Sequence, residues 1–447
     1  MAKSLLRAGS SLRAGLGLTV AAALCCLLPA AQAQIALVSL RHHKPEPQAP
    51  PEKRQQVNSS QPPAFAIPVE PLGFSGPGAI YQGQRMSLAS LDFLDESHLL
   101  FTFRAPGLLR RDASGEDQRQ IRALVLALPQ GNVESEAVWT LHDEQRYLWM
   151  LQDGHFLLRD QDNLKQGDAS LDLKPLLHFP GPLLWLEMDP AQQFLVTDSH
   201  EPVASAQQSG PASSPDTAAA GVTSDAPDAA GQPDIVLRIL HRVTGQVMLV
   251  SHVRNTVHLP INSDGYLETL RSRGRTWLLN LNYFTGGSRI LGRVDSICTP
   301  TIDFIQQREF VATICNPDGT LGLTAISTDG LHLWDAPLPP VQVWPRLAFT
   351  AGGLRLARTT LSVTHPIDAF SPLSFDDVKG QFVEVFDAAS GKRVLTASAS
   401  PVLDGGGNVA ISPSGKRVAV IDAGAIQVYD LPPPPPLPPS GGPHRTP

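Results

Sequence analysis

The chain is predicted to be all-β, built from short antiparallel sheets repeated along its length, and three observations predict it. Strand-like runs and turns alternate through most of its 447 residues. Turns of one chemistry recur, at Thr244-Gly245-Gln246, Ser390-Gly391-Lys392 and Ser412-Pro413-Ser414-Gly415. Three strands close on an aromatic followed by aspartate: Trp334-Asp335, Phe386-Asp387 and Tyr429-Asp430.

Each element has a local cause. Phe382, Val383, Val385 and Phe386 are β-branched or aromatic, and such side chains fit a pleated, half-buried surface better than a helix. In the run from Ala425 to Asp430, Ile426 and Val428 point one way and Gln427 and Tyr429 the other. In the turn at Ser412 to Gly415, proline pre-sets φ and glycine accepts a positive φ that a side chain resists. These features, strongest from Gln381 to Leu431, resemble the WD40/YVTN-like β-propeller repeat family of secreted bacterial type. The resemblance implies strand, turn and strand in each blade, with a strand ending in Trp-Asp. No regular Gly-His pair precedes the strands, so the buried network of eukaryotic WD40 blades is not implied.

Seven units are counted. They start near Leu88, Tyr147, Leu183, Val257, the cysteine-bearing hairpin, Arg346 and Val409. Repeats of this period mean solenoids or propellers, and radial stacking buries both sheet faces while leaving short edges. The expectation is a single β-propeller of seven four-stranded blades over residues 72–431. The last unit shows three strands, so the ring should be closed by an amino-terminal strand, with Ala79-Ile80-Tyr81-Gln82 the candidate.

The amino terminus reads as a secretory signal peptide over residues 1–33. Lys3, Arg7 and Arg13 precede the apolar run from Leu16 to Leu28, and Ala31-Gln32-Ala33 is a small-residue cleavage motif before Gln34. The apolar run is short for a membrane span, and an uncleaved anchor is the alternative. A lipoprotein site at Cys25 or Cys26 is rejected, because the residue before each is not small. Residues 34–71 and 432–447 are proline-rich and read as a disordered tether and tail, with partner docking the alternative for both. The expected location is secreted or periplasmic, with no membrane span after cleavage and a monomeric state.

The whole chain has a formal net charge of −7, and loss of the three leader cations makes it more negative. An acidic balance argues against nucleic acid or anionic lipid as a general partner. The mature chain keeps two cysteines, Cys298 and Cys315. In an oxidising compartment they should pair. A hairpin turning at Gln306-Gln307 puts them opposite each other, and two unpaired thiols are the alternative.

Three long insertions, Arg104 to Arg119, Ser199 to Asp234 and Val363 to Gly380, fall between the second and third strands of their units. In a propeller these connections emerge on one face, and insertion-bearing faces of repeat folds often bind. Ser199 to Asp234 lacks Phe, Trp and Tyr and reads as a disordered insertion. Val363 to Gly380 is the candidate binding loop, carrying Phe370, Phe375, Asp376 and Asp377.

Catalytic signatures are missing: no Walker loop, no His-Glu-x-x-His, no Gly-x-Ser-x-Gly and no Cys-x-x-Cys after the leader. His252 and His258 could share a strand face, but two histidines without a third ligand read as structural. Arg271, Arg273 and Arg275 flank Gly274 and read as a solvated turn. Asp376-Asp377 lacks the spaced oxygens of a calcium loop. No catalytic residue, metal ligand or cofactor is assigned. The function expected is a non-catalytic scaffold that binds a protein partner or small ligand on the insertion face. The alternative is a propeller hydrolase or dehydrogenase with its site at the channel mouth.

Overall fold

The computed structural model describes residues 59–75, 89–105, 110–113, 115, 117–142, 146–201, 234–350, 352–367, 373–403 and 407–434. Seven antiparallel sheets follow one another in chain order as the blades of a β-propeller. Blade one is Ala89–Phe93, His98–Arg104, Asp117–Ala127 and Asn132–Leu141. Blade two is Leu148–Met150, Phe156–Asp160, Asn163–Gly167 and Lys174–His178. Blade three is Leu183–Met188, Phe194–Glu201, Asp234–His241 and Val247–Val253.

Blade four has three full strands, Gly265–Arg271, Thr276–Tyr283 and Ser288–Asp295. Residues 257–261 hold its innermost position through a single bridge from Ile261 to Tyr266 and a hydrogen bond from the Leu267 N–H to the Pro260 carbonyl, 2.9 Å. Blade five is Thr301–Gln306, Glu309–Cys315, Leu321–Ser327 and His332–Pro337. Blade six is Gln342–Phe349, Arg355–Val363, Val378–Asp387 and Arg393–Ala399.

Blade seven is Val409–Ile411, Arg417–Asp422 and Ala425–Asp430, completed by Phe65–Pro68. Phe65 faces Val428 and Ile67 faces Ile426, so the two ends of the described chain share one sheet. An amino-terminal strand therefore closes the ring as expected, but it is not the one expected. Residues 79–82 lie outside the described residues, and the closing strand lies within the stretch read from sequence as tether. Proline is tolerated on an edge strand, which is how a Pro-flanked segment can serve.

Both faces of each blade are buried against its neighbours. Seven main apolar clusters among the described residues map one to each interface between consecutive blades. Val418 and Val420 pack toward blade six while Ala419 and Ile421 pack toward blade one. The two-residue period of a strand feeds both. The innermost strands of blades seven, one and two touch one another, as do those of six and seven. Polar side chains staple neighbours as well. Fully buried Arg355 donates to Asp387 (3.2 Å), to the Gly415 carbonyl (3.3 Å) and to the Pro432 carbonyl, joining blades six and seven.

The recurring turns behave alike. Gly245 and Gly391 have φ of 67° and 65°, and each amide donates at 2.8 Å to the residue four back, His241 and Asp387. Gly415 has φ 67°, and a Cβ there would stand 2.9 Å from Arg355 Cγ. The aspartate that follows Phe386 caps its turn through the Ala389 and Ser390 N–H groups at 3.1 and 3.2 Å. Trp334 instead links blades, its indole N–H donating to the Ala388 carbonyl at 2.8 Å.

Cys298 and Cys315 form a disulfide with Cα atoms 5.6 Å apart. The hairpin turns at Gln307-Arg308, one residue later than the cysteine spacing implies. The ladder shift between Phe304 and Gln306 recovers part of the offset, so that Ile302 faces Ala312 and Asp303 faces Val311, one residue off the expected register. Cys298 lies just before the strand rather than in it. Among the described residues no helix is long and apolar enough to cross a membrane.

Candidate functional site

In a propeller the first strand of each blade lies along the central channel, and here these strands carry a series of charges. Blade one contributes Asp92 and blade three Glu187, and Asp303 comes from blade five. Arg146 enters just ahead of blade two's inner strand, His258 sits at blade four's inner position, and Arg346 is on blade six's. The order round the axle is acid, base, acid, base, acid, base. Asp92 feels the charge of Arg146, and Arg146 that of Glu187. Glu187 in turn acts on His258, and Asp303 feels both His258 and Arg346. Blade seven breaks the series with buried Asn408, which donates to Gln381 at 2.6 Å.

Arg146 and Arg346 are exposed, and Asp92, Glu187, His258 and Asp303 are partly exposed. Burial is nevertheless the leading influence on the pKa of Asp92, Arg146, His258 and Asp303.

The densest part of the series spans blades three to five. His258 bonds Glu187 through Nδ1, and its Nε2 lies 2.6 Å from the Ile302 carbonyl and 3.9 Å from Asp303. Burial alone would lower the histidine pKa, but the Glu187 bond and charge, with Asp303 behind them, raise it to about 9. Burial pushes Asp303 up to about 6, opposed by His258. Asp198, on the second strand of blade three, is fully buried and accepts the Val257 N–H at 2.7 Å. Burial and then the charge of Glu187 hold its carboxyl at about 6, although that one hydrogen bond favours ionisation. Trp185 is the cross-strand partner of Asp198 and packs edge-on against His258, ring centroids 6.3 Å apart.

The residues singled out from sequence fall elsewhere, with one exception. Phe370 lies outside the described residues. Phe375–Asp377 is a single 3-10 turn, with Asp376 exposed and Asp377 3.8 Å from His365. The blade-six insertion is anchored by an apolar cluster of Leu361, Val363, Ile367 and Leu373. His252 is on the outermost strand of blade three, whereas His258 belongs to the channel, so they share no face. Arg271, Arg273 and Arg275 are exposed around a turn at Gly274, with Arg271 5.8 Å over the Trp277 ring. Among the described residues no three His, Cys, Asp or Glu side chains converge to hold a metal ion.

Of the channel series only His258 was singled out. A signal was available: Leu91-Asp92-Phe93, Leu186-Glu187-Met188 and Ile302-Asp303-Phe304 each set one acid between apolar residues in the first strand of a unit. An acid in such a run needs a partner or water, and its recurrence in alternate units points to the axle.

No family model matches the chain, and no curated protein matches it. Among solved structures it is similar to an acylaminoacyl peptidase of Pyrococcus horikoshii, at 9% identity and TM-score 0.44 over 76% of this chain and 50% of that one. The chain thus spans half the length of that peptidase. It is also similar to an uncharacterised protein of Listeria monocytogenes, at 8% identity and TM-score 0.42 over 78% of this chain and 95% of that one. Hsv2p of Kluyveromyces lactis shares 12% identity at TM-score 0.33, over 63% and 73%. Likeness at this level says nothing about activity, and the fold rests on the strand pairing itself.

Proposed function

We propose that the protein is an exported, non-catalytic binding propeller, in the periplasm or outside a bacterial cell, that receives a protein partner or small ligand on one face. One observation carries this reading. The three long connections, residues 105–116, 202–233 and 364–377, all join the second strand of a blade to the third. In this topology those connections leave on the same side as the links that feed the innermost strands, so the channel mouth opens among them. Export is supported by the basic and apolar amino-terminal segment and by the disulfide, which belongs to oxidising compartments.

The test is a pull-down from native envelope with the full chain and with residues 365–376 replaced by a short Gly-Ser link. The expected result is a partner captured by the first and lost from the second. Identical capture by both would remove the blade-six loop from the binding face. Mass spectrometry of the exported protein should find it beginning at or near Gln34, and retention of Met1 would discard export by cleavage.

A propeller enzyme working at the channel mouth is the second reading. It is favoured by the charged groups from six blades and by the shifted His258 and Asp303. Turnover in a hydrolase and dehydrogenase panel, abolished by His258→Gln, would put it first.

A further inference from the structure

We infer that the channel between blades three and four is a binding site for a small molecule bearing a primary ammonium group. The inference does not rest on the insertions, because it uses only the first two strands of blade three and the innermost segments of blades four and five. Trp185, Glu187 and Asp198 lie on one face of blade three: Trp185 and Asp198 are cross-strand partners, and Glu187 follows Trp185 at the two-residue period of a strand. That face is turned to blade four, since His258 bonds Glu187 and the Val257 N–H bonds Asp198.

Two acceptor atoms here are buried without a hydrogen-bond partner, Glu187 Oε2 and Asp198 Oδ1. Asp198 is 0% exposed. A buried carboxylate oxygen left unpaired costs more than an ordinary hydrogen bond returns, so two of them side by side call for a donor. The two donors that bond these acids are already engaged, the His258 ring with Glu187 and Ile302 and the Val257 N–H with the other Asp198 oxygen. Asp303 adds a third carboxylate across His258, 3.9 Å from its Nε2.

What fits is a cation with several N–H groups. Trp185 supplies the remaining wall: 36% of it is exposed beside these acids, and an indole face attracts ammonium groups. A metal ion fits less well, because among the described residues no three His, Cys, Asp or Glu side chains are arranged to hold one. A quaternary ammonium would suit the indole but leave both acceptors unpaired. An anion would suit Arg146 and Arg346 but meet Glu187, Asp198 and Asp303 on the way.

Titration calorimetry of the full chain with putrescine, choline and butanoate separates these cases. Putrescine should bind and choline should bind about tenfold or more weakly. Glu187→Gln and Asp198→Asn should each weaken putrescine by about ten- to a hundredfold, the worth of one charge-assisted hydrogen bond. If neither variant folds, Trp185→Leu carries the test, because that side chain is exposed and its loss should weaken putrescine while leaving thermal unfolding in place. No putrescine binding, equal affinity for choline, binding of butanoate alone, or putrescine affinity untouched by these substitutions would each overturn the site.

Discussion

His258 is held between Glu187 and Asp303, with the Ile302 carbonyl against its Nε2, Asp198 behind Glu187 and Arg346 behind Asp303. Its charge is therefore part of the packing of three blades. A histidine titrating at about 9 in the folded chain, against 6.5 ordinarily, adds stability that is fully present below 6.5 and lost as pH rises through 9. Asp198 and Asp303, raised from 3.8 to about 6, act in the same direction at lower pH: their contribution is present below 3.8 and gone above 6. The melting temperature should fall between neutral pH and pH about 9.5 by roughly 5 °C. In His258→Gln that fall should largely vanish, while the change at acid pH from the two aspartates persists. Thermal unfolding across the pH series checks both, and a wild-type alkaline slope retained in the variant would show that another group titrates there.

The disulfide and the blade-three insertion make opposite demands on stability. Cys298 and Cys315 close a loop with a sequence separation of 17, and loop-closure entropy makes such a link worth about 3 kcal/mol. Replacing both cysteines with alanine should lower the denaturation midpoint accordingly, with blade five the first to lose amide-exchange protection; an unchanged midpoint would mean the staple is redundant. The insertion behaves differently, because the ladder of blade three runs through Glu201 paired with Asp234, the residues that flank it. A link of a few residues can join those ends, and loop length changes closure entropy only slowly. Replacing residues 202–233 should leave the melting temperature within about 2 °C, and a large drop would show that the segment packs against the blades.

Elements such as these were legible in the sequence because turn chemistry is local. The glycine turns, the alternation from Ala425 to Asp430 and the cysteine hairpin follow from residues close along the chain. The channel charges were harder to read for the opposite reason. Glu187, His258 and Asp303 become neighbours only when three blades are set round an axis, and one acid in an apolar run carries meaning only once the same pattern is seen in distant units.

At the scale of the whole molecule, stability depends on closing the ring. Blade seven has three strands from the end of the described chain and one, Phe65–Pro68, from its beginning. Its ladder to Ala425–Asp430 is four residues long. This strand escaped the sequence reading because four residues between prolines show almost no alternation, and their place is set by a partner more than three hundred residues away. Ile67 is its anchor, 3% exposed within the cluster that joins blades seven and one, with Leu91, Phe101, Ile426 and Val428. Further ties fix the same seam: the Ser414 N–H donates to Glu96 at 2.7 Å, and Arg122 donates to the Leu72 carbonyl at 2.7 Å. Placing a carboxylate in that cluster strands an unpaired charge in apolar surroundings, which costs several kcal/mol. Ile67→Asp should therefore open the ring between its first and last blades. Amide exchange should lose protection in blades one and seven before blades three to five, and unfolding should broaden from one transition into two. Ile67→Val, which keeps the apolar contact, should cost only about 1 kcal/mol and retain one transition. If Ile67→Asp instead melts all blades together at an almost unchanged midpoint, the seam contributes little, and the inter-blade clusters alone hold the circle shut.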